Sequence, residues 1–435
     1  MIKELEKMLY KKKYFLICYS GGLDSTVLLH LLLKLKKTKK IFFRAIHINH
    51  KLNINSDNWS DHCKKECKKY NVPIVIKNVN LNLKKNNIES KARSMRYKEI
   101  YKNLLPKEII LTAHNLNDQC ETFLLALKRG SGPKGLSSMS TYKKIDNIIH
   151  IRPLLQIDRN TLEKWAKKNK LKWIEDNSNW DTNYDRNFLR RKIIPILKER
   201  WPKFIKNCTR SAKICSEQEE ALNYFTTDII KKTVCTDKTL NITNLKYLKK
   251  EILNIILRHW ISLHHVNMPS YKGLYKIFTD IINSKKSASP KISFKKYEIR
   301  RYRKKLYLLK PILPSLKNRI IFWHKTQTSL ALPNQLGYVT QDKMGVKLPS
   351  PEKKELVNIR FQANGSFLIE GQKHKKKLKK IWQLLNIPIW QRENIPLLFY
   401  NNRFIGALGI FTIKNKNIKV YHYWYLSWCN YITKQ

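Results

Sequence analysis

A six-residue polar turn, Ser20-Gly21-Gly22-Leu23-Asp24-Ser25, lies between two apolar segments near the start of the chain. Residues 14–19 are β-like, and residues 26–32 have the composition of a helix. Glycines let a backbone approach an anion closely, and a helix N-terminus supplies unpaired N–H groups and partial positive charge. The segment therefore predicts a strand, a phosphate-binding turn and a helix, with Asp24 as a ligand for Mg²⁺. No Gly-Lys-Ser/Thr follows at the spacing that a Walker A loop requires.

Strand-like and helix-like segments alternate over residues 1–205. The predicted strands are 14–19, 41–48, 72–79, 108–113 and 148–152. The predicted helices are about 25–36, 56–70, 89–104, 118–129 and 158–169. Such alternation predicts an α/β fold with a mostly parallel, doubly wound sheet. Ligands of these folds bind beyond the carboxyl ends of the strands, which is where the polar turn lies.

The rest of the chain has a different pattern. Its 435 residues are enough for about two to three domains. Apolar residues at helical spacing predict a mainly helical domain over residues 206–320. Prolines interrupt residues 321–356, which we interpret as a linker region. Residues 357–435 mix strand-like segments with a basic helical one, and we expect a small α+β domain there.

The formal net charge of +55 is extreme and favours a polyanionic partner such as RNA. An AT-rich coding sequence, which enriches lysine, asparagine and isoleucine, is the competing explanation. Residues 295–305 interleave lysine and arginine with tyrosine. That run suits RNA phosphates and stacked bases, and it equally suits a solvated edge strand.

The chain contains no apolar run of the length, about 18 residues, that a membrane span needs. We therefore expect a cytoplasmic protein without membrane association. Its eight cysteines are scattered without a Cys-x-x-Cys pair, so neither a disulfide framework nor a zinc site is indicated. The sequence leaves the oligomeric state open between a monomer and a homodimer.

Further polar residues follow the predicted strands. His114 and Asp118 come after the fourth strand, where His114 is a candidate to polarise a phosphate and Asp118 to hold Mg²⁺ or orient an amine. The alternative for Asp118 is a helix cap. Arg93 and Arg96 share one helical face and suit either a phosphate or a surface ion-pair network.

The polar segment 176–190 ends in arginines. It delivers Arg186 or Arg190 into the site, or it only caps the next helix. From the residues alone, both interpretations stay open.

Taken together, these motifs resemble the tRNA(Ile)-lysidine synthetase family. The Ser-Gly-Gly-x-Asp-Ser turn resembles the PP-loop of the N-type ATP pyrophosphatases and of the adenine-nucleotide alpha-hydrolase-like folds. The segments that complete the resemblance are His47-x-x-His50, Glu89–Tyr97, Ala113–Thr122, Ile151–Leu155, Asp176–Arg190, Ile387–Arg392 and Pro396–Leu398. The resemblance covers nearly the whole chain.

The resemblance implies a tRNA-modifying ligase that uses ATP and Mg²⁺. The wobble cytidine of an isoleucine tRNA with a CAU anticodon is adenylated, and L-lysine then displaces AMP to give lysidine. The tRNA then reads AUA instead of AUG and changes identity from methionine to isoleucine.

The resemblance also implies roles for individual residues. Ser20–Ser25 bind the pyrophosphate, and Asp24 and Asp118 bind Mg²⁺ or lysine. His114 and Arg190, with Arg93 as a weaker candidate beside Arg96, stabilise the transition state or the intermediate. The two later domains bind the tRNA body. The alternatives are another PP-loop tRNA-modifying enzyme, such as a thiolase, and a non-enzymatic basic RNA-binding protein.

Overall fold

The computed structural model describes residues 1–51, 55–79, 88–175, 180–285, 288–310, 314–324, 328–414 and 422–429. The chain divides into two compact units, Met1–Phe225 and Thr226–Gln435. Among the described helices, none combines the length and the apolar character that crossing a bilayer demands.

The first unit is built on a six-stranded sheet in the order β3-β2-β1-β4-β6-β5. Its strands are β1 Tyr14–Cys18, β2 Phe42–Asn49, β3 Ile74–Asn78, β4 Ile109–Leu111, β5 Tyr142–Ile145 and β6 Ile148–Ile151. Every neighbouring pair is parallel except β5 and β6, which form an antiparallel hairpin at one edge. The central strands are apolar throughout because helices cover both faces of the sheet.

One helix precedes the first strand and the others follow strands, and the last helix extends past the boundary of the first unit at Phe225. They are α1 Ile2–Met8, α2 Leu23–Thr38, α3 Ser56–Lys69, α4 Ile88–Lys102, α5 Leu116–Lys128, α6 Pro133–Leu136, α7 Arg159–Lys168, α8 Asp185–Phe188, α9 Ile194–Arg200 and α10 Phe204–Thr233. Phe15 and Ile17 face the core formed with α2 and α7, whereas Leu16 faces Ile100 on the opposite side. This alternation confirms the predicted mostly parallel, doubly wound sheet. Helix α1 and the β5 strand were not predicted.

The second unit contains several antiparallel sheets, and the prediction of a mainly helical domain over residues 206–320 is wrong. After α10, this region contains β7 Leu240–Asn241, α11 Lys250–Ser262, α12 Tyr271–Lys276, β8 Lys291–Phe294, β9 Tyr297–Tyr302 and β10 Lys305–Leu309. The four strands pair in the order β7-β10-β9-β8 and cover α11 and α12 through a shared apolar core. The basic residues in and between β8, β9 and β10 made this segment resemble a charged surface segment.

Residues 321–356, which we expected to form a linker region, contain most of β11 Ile320–Trp323 and all of β12 Ser329–Ala331 and β13 Tyr338–Pro349. Their apolar residues, among them Trp323 and Val339, pack in a common core with β14 and β17. The prolines that suggested a linker lie at strand ends or between strands, where no ladder N–H is needed.

The remaining described elements make up the small C-terminal α+β region. They are β14 Val357–Arg360, β15 Ser366–Phe367, β16 Lys376–Lys377, α13 Leu378–Leu384, α14 Ile389–Arg392, β17 Leu397–Tyr400, β18 Arg403–Ala407, β19 Phe411–Thr412 and β20 Tyr423–Cys429. The antiparallel sheets have the orders β11-β14-β17-β18-β19 and β12-β13-β20, with β15 and β16 as a separate pair.

Candidate active site

The polar turn after β1 has the geometry of an anion cradle. Gly22 is the N-cap of α2 in an extended conformation, so the first N–H groups of the helix have no acceptor within it. The Ser20 and Ser25 hydroxyls lie 3.1 Å apart, and the Ser25 hydroxyl donates to the Gly22 carbonyl at 3.0 Å. The Leu23 side chain is buried in the core, so the group of this residue that can bind an anion is its backbone N–H.

Gly21 holds this turn in a conformation that other residues rarely adopt. Its φ is +80°, and a Cβ placed there would lie 3.0 Å from the Cys63 sulfur. The Gly21 carbonyl accepts a hydrogen bond from the Ile174 N–H at 2.9 Å. Gly21 therefore fixes the shape of the turn through its own backbone. The residues of the turn that line the cavity are Ser20, Gly22, Leu23, Asp24 and Ser25.

We expect Gly21→Ala to destabilise the fold by about 1–2 kcal/mol, because a left-handed conformation is costly for alanine. Gly22→Ala is the matched control. Gly22 has a φ of −76°, and its added Cβ would meet its nearest neighbour, the Ser20 Oγ, at an ordinary 3.6 Å. Urea unfolding of the two variants checks this prediction, and equal losses of stability would contradict it.

Asp24 is a half-enclosed carboxylate in the first turn of α2. Its Oδ2 lies 3.5 Å from a guanidinium nitrogen of Arg159, while its Oδ1 is buried without a hydrogen-bond partner. Burial raises the pKa of Asp24 to about 6, Arg159 opposes that rise, and the nearby Asp118 adds to it. An unpaired carboxylate oxygen aimed at a cavity is a position that a cation can occupy.

Helix α5 begins at the carboxyl end of β4 with a capping box. The Asn115 side chain accepts hydrogen bonds from the N–H groups of Asn117 and Asp118 at 2.9 and 3.0 Å. The Asp118 Oδ2 accepts from the Asn115 N–H at 2.9 Å. Asp118 therefore caps the helix, as the alternative interpretation has it, and it also lines the cavity.

Arg190 connects the segment after residue 180 to this helix. Its Nε donates to Glu121 Oε1 at 2.7 Å, and its Nη2 donates to Glu121 Oε2 at 3.1 Å and to Asp118 Oδ1 at 3.3 Å. Glu121 is fully buried, and burial raises its pKa. The segment thus does deliver Arg190 into the site, held by a bidentate ion pair.

A π-helical turn, Leu189–Ile193, carries Arg190 between α8 and α9. Pro195 follows in the first turn of α9 and has no N–H to continue the regular hydrogen-bond ladder. Turns of this kind are rare and frequently lie at functional sites. Residues 176–179, which begin the same polar segment, lie outside the described residues.

His114 follows β4 and lines the same cavity. Its Nδ1 lies 2.9 Å from the Thr112 hydroxyl, which lies 2.8 Å from the Nε2 of His150. The pKa of His114 is lowered to about 3, mainly by burial and in addition by the positive charges of Arg152 and Arg93. His114 is therefore a neutral imidazole at physiological pH.

All of these groups meet in one cavity of about 1010 Å³ at the carboxyl ends of β1, β2 and β4. Its lining includes six arginines, namely Arg93, Arg96, Arg159, Arg186, Arg190 and Arg191. The Arg93 guanidinium lies over the Tyr97 ring at 5.6 Å, and Arg96 donates to the Nε2 of His50 at 3.1 Å. An excess of guanidiniums over carboxylates suits a polyanionic ligand such as a triphosphate.

The sequence-predicted residues Asp24, Arg93, His114, Asp118 and Arg190 are thus brought together. Sequence reasoning missed the Arg159 partner of Asp24 and the buried residues behind His114. The signal for Arg159 was the N-cap Asp158, which starts α7 just beyond β6 at the same sheet edge. The pairing of Thr112 with His150 had no sequence signal, because it depends on β4 and β6 being neighbours.

Comparisons with known proteins agree with this geometry. Residues 1–197 match the model of the PP-loop domain. Residues 240–307 match the TilS substrate binding domain, and residues 357–428 match the TilS substrate C-terminal domain. Among solved structures, a U34-tRNA thiolase from Methanococcus maripaludis covers 50% of this chain and 77% of its own at 19% identity and a TM-score of 0.43, a similarity too low to bear on function.

Curated relatives are similar over almost the full length. The tRNA(Ile)-lysidine synthase of Buchnera aphidicola subsp. Schizaphis graminum is 50% identical over 98% of this chain and 97% of its own. The enzyme of the same name from Photorhabdus laumondii is 42% identical over 94% of this chain and 93% of its own. The loop, the cavity and this similarity lead to one conclusion: the chain belongs to the tRNA(Ile)-lysidine synthase family.

Proposed function

We propose that this chain ligates L-lysine to C2 of the wobble cytidine in the CAU anticodon of an isoleucine tRNA. The cytidine O2 attacks the α-phosphorus of ATP, and diphosphate leaves. The lysine ε-amine then attacks C2, and the former O2 departs with AMP while the amine loses a proton. The observation that supports this most is the single cavity that joins the PP-loop turn to His114, Asp118 and Arg190.

Binding of the triphosphate rests on the turn and the arginines. The α2 N-terminus and the Ser20 and Ser25 hydroxyls suit the leaving diphosphate. The neutral His114 and the guanidiniums suit the negative charge that grows on the α-phosphate in the transition state. The lysine amine would require a nearby carboxylate, and Asp118 and Glu121 are the acidic groups on α5.

The residues of the cavity fit a Mg²⁺ ion that is bound jointly by the protein and by the phosphates of the nucleotide. The described residues contain no cluster of three or more acidic, histidine or cysteine side chains that would hold a metal alone. Mg²⁺ commonly uses one or two carboxylates and completes its shell with phosphates and water. We propose Asp24 as the direct ligand because its Oδ1 is unpaired, whereas both oxygens of Asp118 have partners. The ion would neutralise phosphate charge when bound.

The thiolase alternative finds little support in the cavity. Such chemistry needs a reactive thiolate or a metal cluster. Cys18 lines the cavity, but burial raises the pKa of its thiol to about 12. That thiol stays protonated at neutral pH and is a weak nucleophile.

We further propose that residues 1–205 form the catalytic domain and that the regions 206–320 and 357–435 bind the tRNA body.

Some basic residues of the run 295–305 are bound within the fold, and others are exposed on the surface. Arg300 pairs with Glu298 at 2.8 Å, and the buried Arg301 donates to the carbonyls of Ile282 and Ser284. Lys295 and Lys296 are exposed at the turn between β8 and β9. They remain available for phosphates.

We expect the affinity for tRNA to fall steeply with salt, because neutralised phosphates release counterions. The double variant Lys295→Gln/Lys296→Gln should flatten the slope of log K against log salt by about 1–2, since each phosphate contact contributes about 0.9. Filter binding across a salt series measures this slope. An unchanged slope would remove these lysines from the RNA-binding surface.

The cytoplasm is the expected compartment, because the proposed substrates are there. We treat a homodimer as an open alternative to a monomer, to be settled by sedimentation.

The two chemical steps can be tested separately with an isoleucine tRNA transcript, ATP and Mg²⁺. We expect diphosphate release from ATP when tRNA is present without lysine, and AMP release only when lysine is also added. Release of neither product by folded protein would contradict the proposal, and lysine-independent transfer of another group would favour a different PP-loop modification.

A further inference from the structure

A chain of three buried side chains extends from His114 away from the cavity. Thr112 directly follows β4, His150 is the last residue but one of the neighbouring strand β6, and Arg152 directly follows β6. The Thr112 Oγ1 lies 2.9 Å from His114 Nδ1 and 2.8 Å from His150 Nε2. The Arg152 Nη2 lies 3.3 Å from His150 Nδ1. Each of the three is at least nine-tenths buried.

The direction of these hydrogen bonds follows from the guanidinium. Arginine has only N–H donors, so the Nδ1 of His150 must accept from Arg152. A neutral imidazole has one N–H, and in His150 it then lies on Nε2 and donates to the Thr112 oxygen. The Thr112 hydroxyl proton is left for the Nδ1 of His114, which must accept it. His114 therefore has its own proton on Nε2, the ring nitrogen not used by Thr112.

We infer that Arg152, His150 and Thr112 are positioning residues that fix the tautomer of His114, so that Nε2 presents an N–H donor to the ligand in the cavity. That the ligand is the phosphate group under attack rests on the proposed function. The fixed tautomer itself does not depend on the ligand, because it follows from the hydrogen-bond chain between neutral rings.

The charge around the chain favours this arrangement over a protonated imidazole. Burial lowers the pKa of His150 to about 3, with Arg152 as the next cause, so both rings of the chain are neutral near pH 7. A neutral histidine with the wrong tautomer would point a lone pair at an anion. Fixing the proton on Nε2 supplies a donor without adding another positive charge beside the arginines.

Thr112→Val removes the hydroxyl at nearly constant volume, and Thr112→Ser restores it. We expect Thr112→Val to lower kcat for lysidine formation by roughly 10- to 100-fold, the range known for metal-binding histidines that lose the partner orienting the ring. KM for ATP should change little, because the cradle of α2 is untouched. Thr112→Ser should recover most of kcat. A Thr112→Val enzyme with the kcat of wild type would overturn the inference.

Nitrogen NMR of the full chain with labelled histidine reads the tautomer without any activity. His114→Gln identifies the His114 signals by their loss. We expect an unprotonated, hydrogen-bond-accepting Nδ1 and a protonated Nε2 in wild type, and a shift of the Nδ1 signal in Thr112→Val but not in Thr112→Ser.

A proton on Nδ1 of wild-type His114 would overturn the inference, whatever the enzyme catalyses. The expected spectrum in a protein that does not form lysidine would leave the tautomer assignment standing and reject the proposed function instead.

Discussion

Asp24→Asn should abolish lysidine formation, with a loss of at least 100-fold, and should make the free protein more stable at neutral pH. The activity falls because the variant loses the unpaired carboxylate oxygen that we assign to Mg²⁺, and neutralising phosphate charge contributes several kcal/mol to such reactions. The fold survives because asparagine has the shape of aspartate and still places an oxygen near Arg159.

The stability gain follows from the pKa of Asp24. Burial raises that pKa to about 6 in the folded state, against about 3.9 in an unfolded chain. The folded protein binds this proton more tightly, so ionisation destabilises it as pH rises from about 4 to about 6. Above pH 6, wild type bears the full penalty, about 1–3 kcal/mol, which Asp24→Asn lacks.

Urea unfolding without nucleotide at pH 5 and pH 8 measures this difference. The advantage of Asp24→Asn should be about half as large at pH 5, where most of the folded wild-type carboxyl is protonated. Full activity in Asp24→Asn would reject the cation assignment. A stability gain that is the same at both pH values would reject the raised pKa.

Arg190→Met should both destabilise the first unit and remove activity. Glu121 is fully buried and has its bidentate partner in Arg190, so the variant leaves a buried carboxylate poorly compensated. Breaking such a pair costs about 3–5 kcal/mol. Arg186, 3.8 Å from Glu121, should keep the loss near the lower value. Activity should fall by at least 100-fold because the guanidinium also lines the cavity.

The double variant Arg190→Met/Glu121→Gln provides the matched control for stability. The double variant has no carboxylate at position 121 to leave uncompensated, so we expect it to recover most of the lost stability. It should not recover activity, because the guanidinium is still missing. The single variant Glu121→Gln completes the comparison. A loss of stability in the double variant equal to the sum of the two single losses would show that the ion pair has no structural role.

The fold of the first unit could be predicted from the sequence because its central strands, β1 and β4, are uninterrupted apolar runs. Phe15, Leu16 and Ile17 are all buried, as expected for a central parallel strand with helices on both faces. Because ligands bind beyond the carboxyl ends of parallel strands, the sequence also predicted that His114 and Asp118 lie at the binding edge of the sheet. The sequence pattern could not predict which strands are neighbours, because the strand order depends on packing over the whole domain.

The missed residues illustrate this limit. Thr112 and His150 are separated by 38 positions in the chain and meet only because β6 lies beside β4. The antiparallel sheet of residues 240–309 was missed for another reason. Arg301 is buried with its guanidinium on backbone carbonyls, so a residue that looks solvated in the sequence occupies an inward-facing strand position.

The most direct test of the account is incorporation of labelled lysine into an unmodified isoleucine tRNA with a CAU anticodon, in the presence of ATP and Mg²⁺. A methionine tRNA with the same anticodon is the control substrate, and Asp24→Asn is the control protein. The account predicts ATP-dependent labelling of the isoleucine tRNA alone, and none with the variant. Folded wild-type protein that labels neither tRNA, or labels both equally, would contradict it.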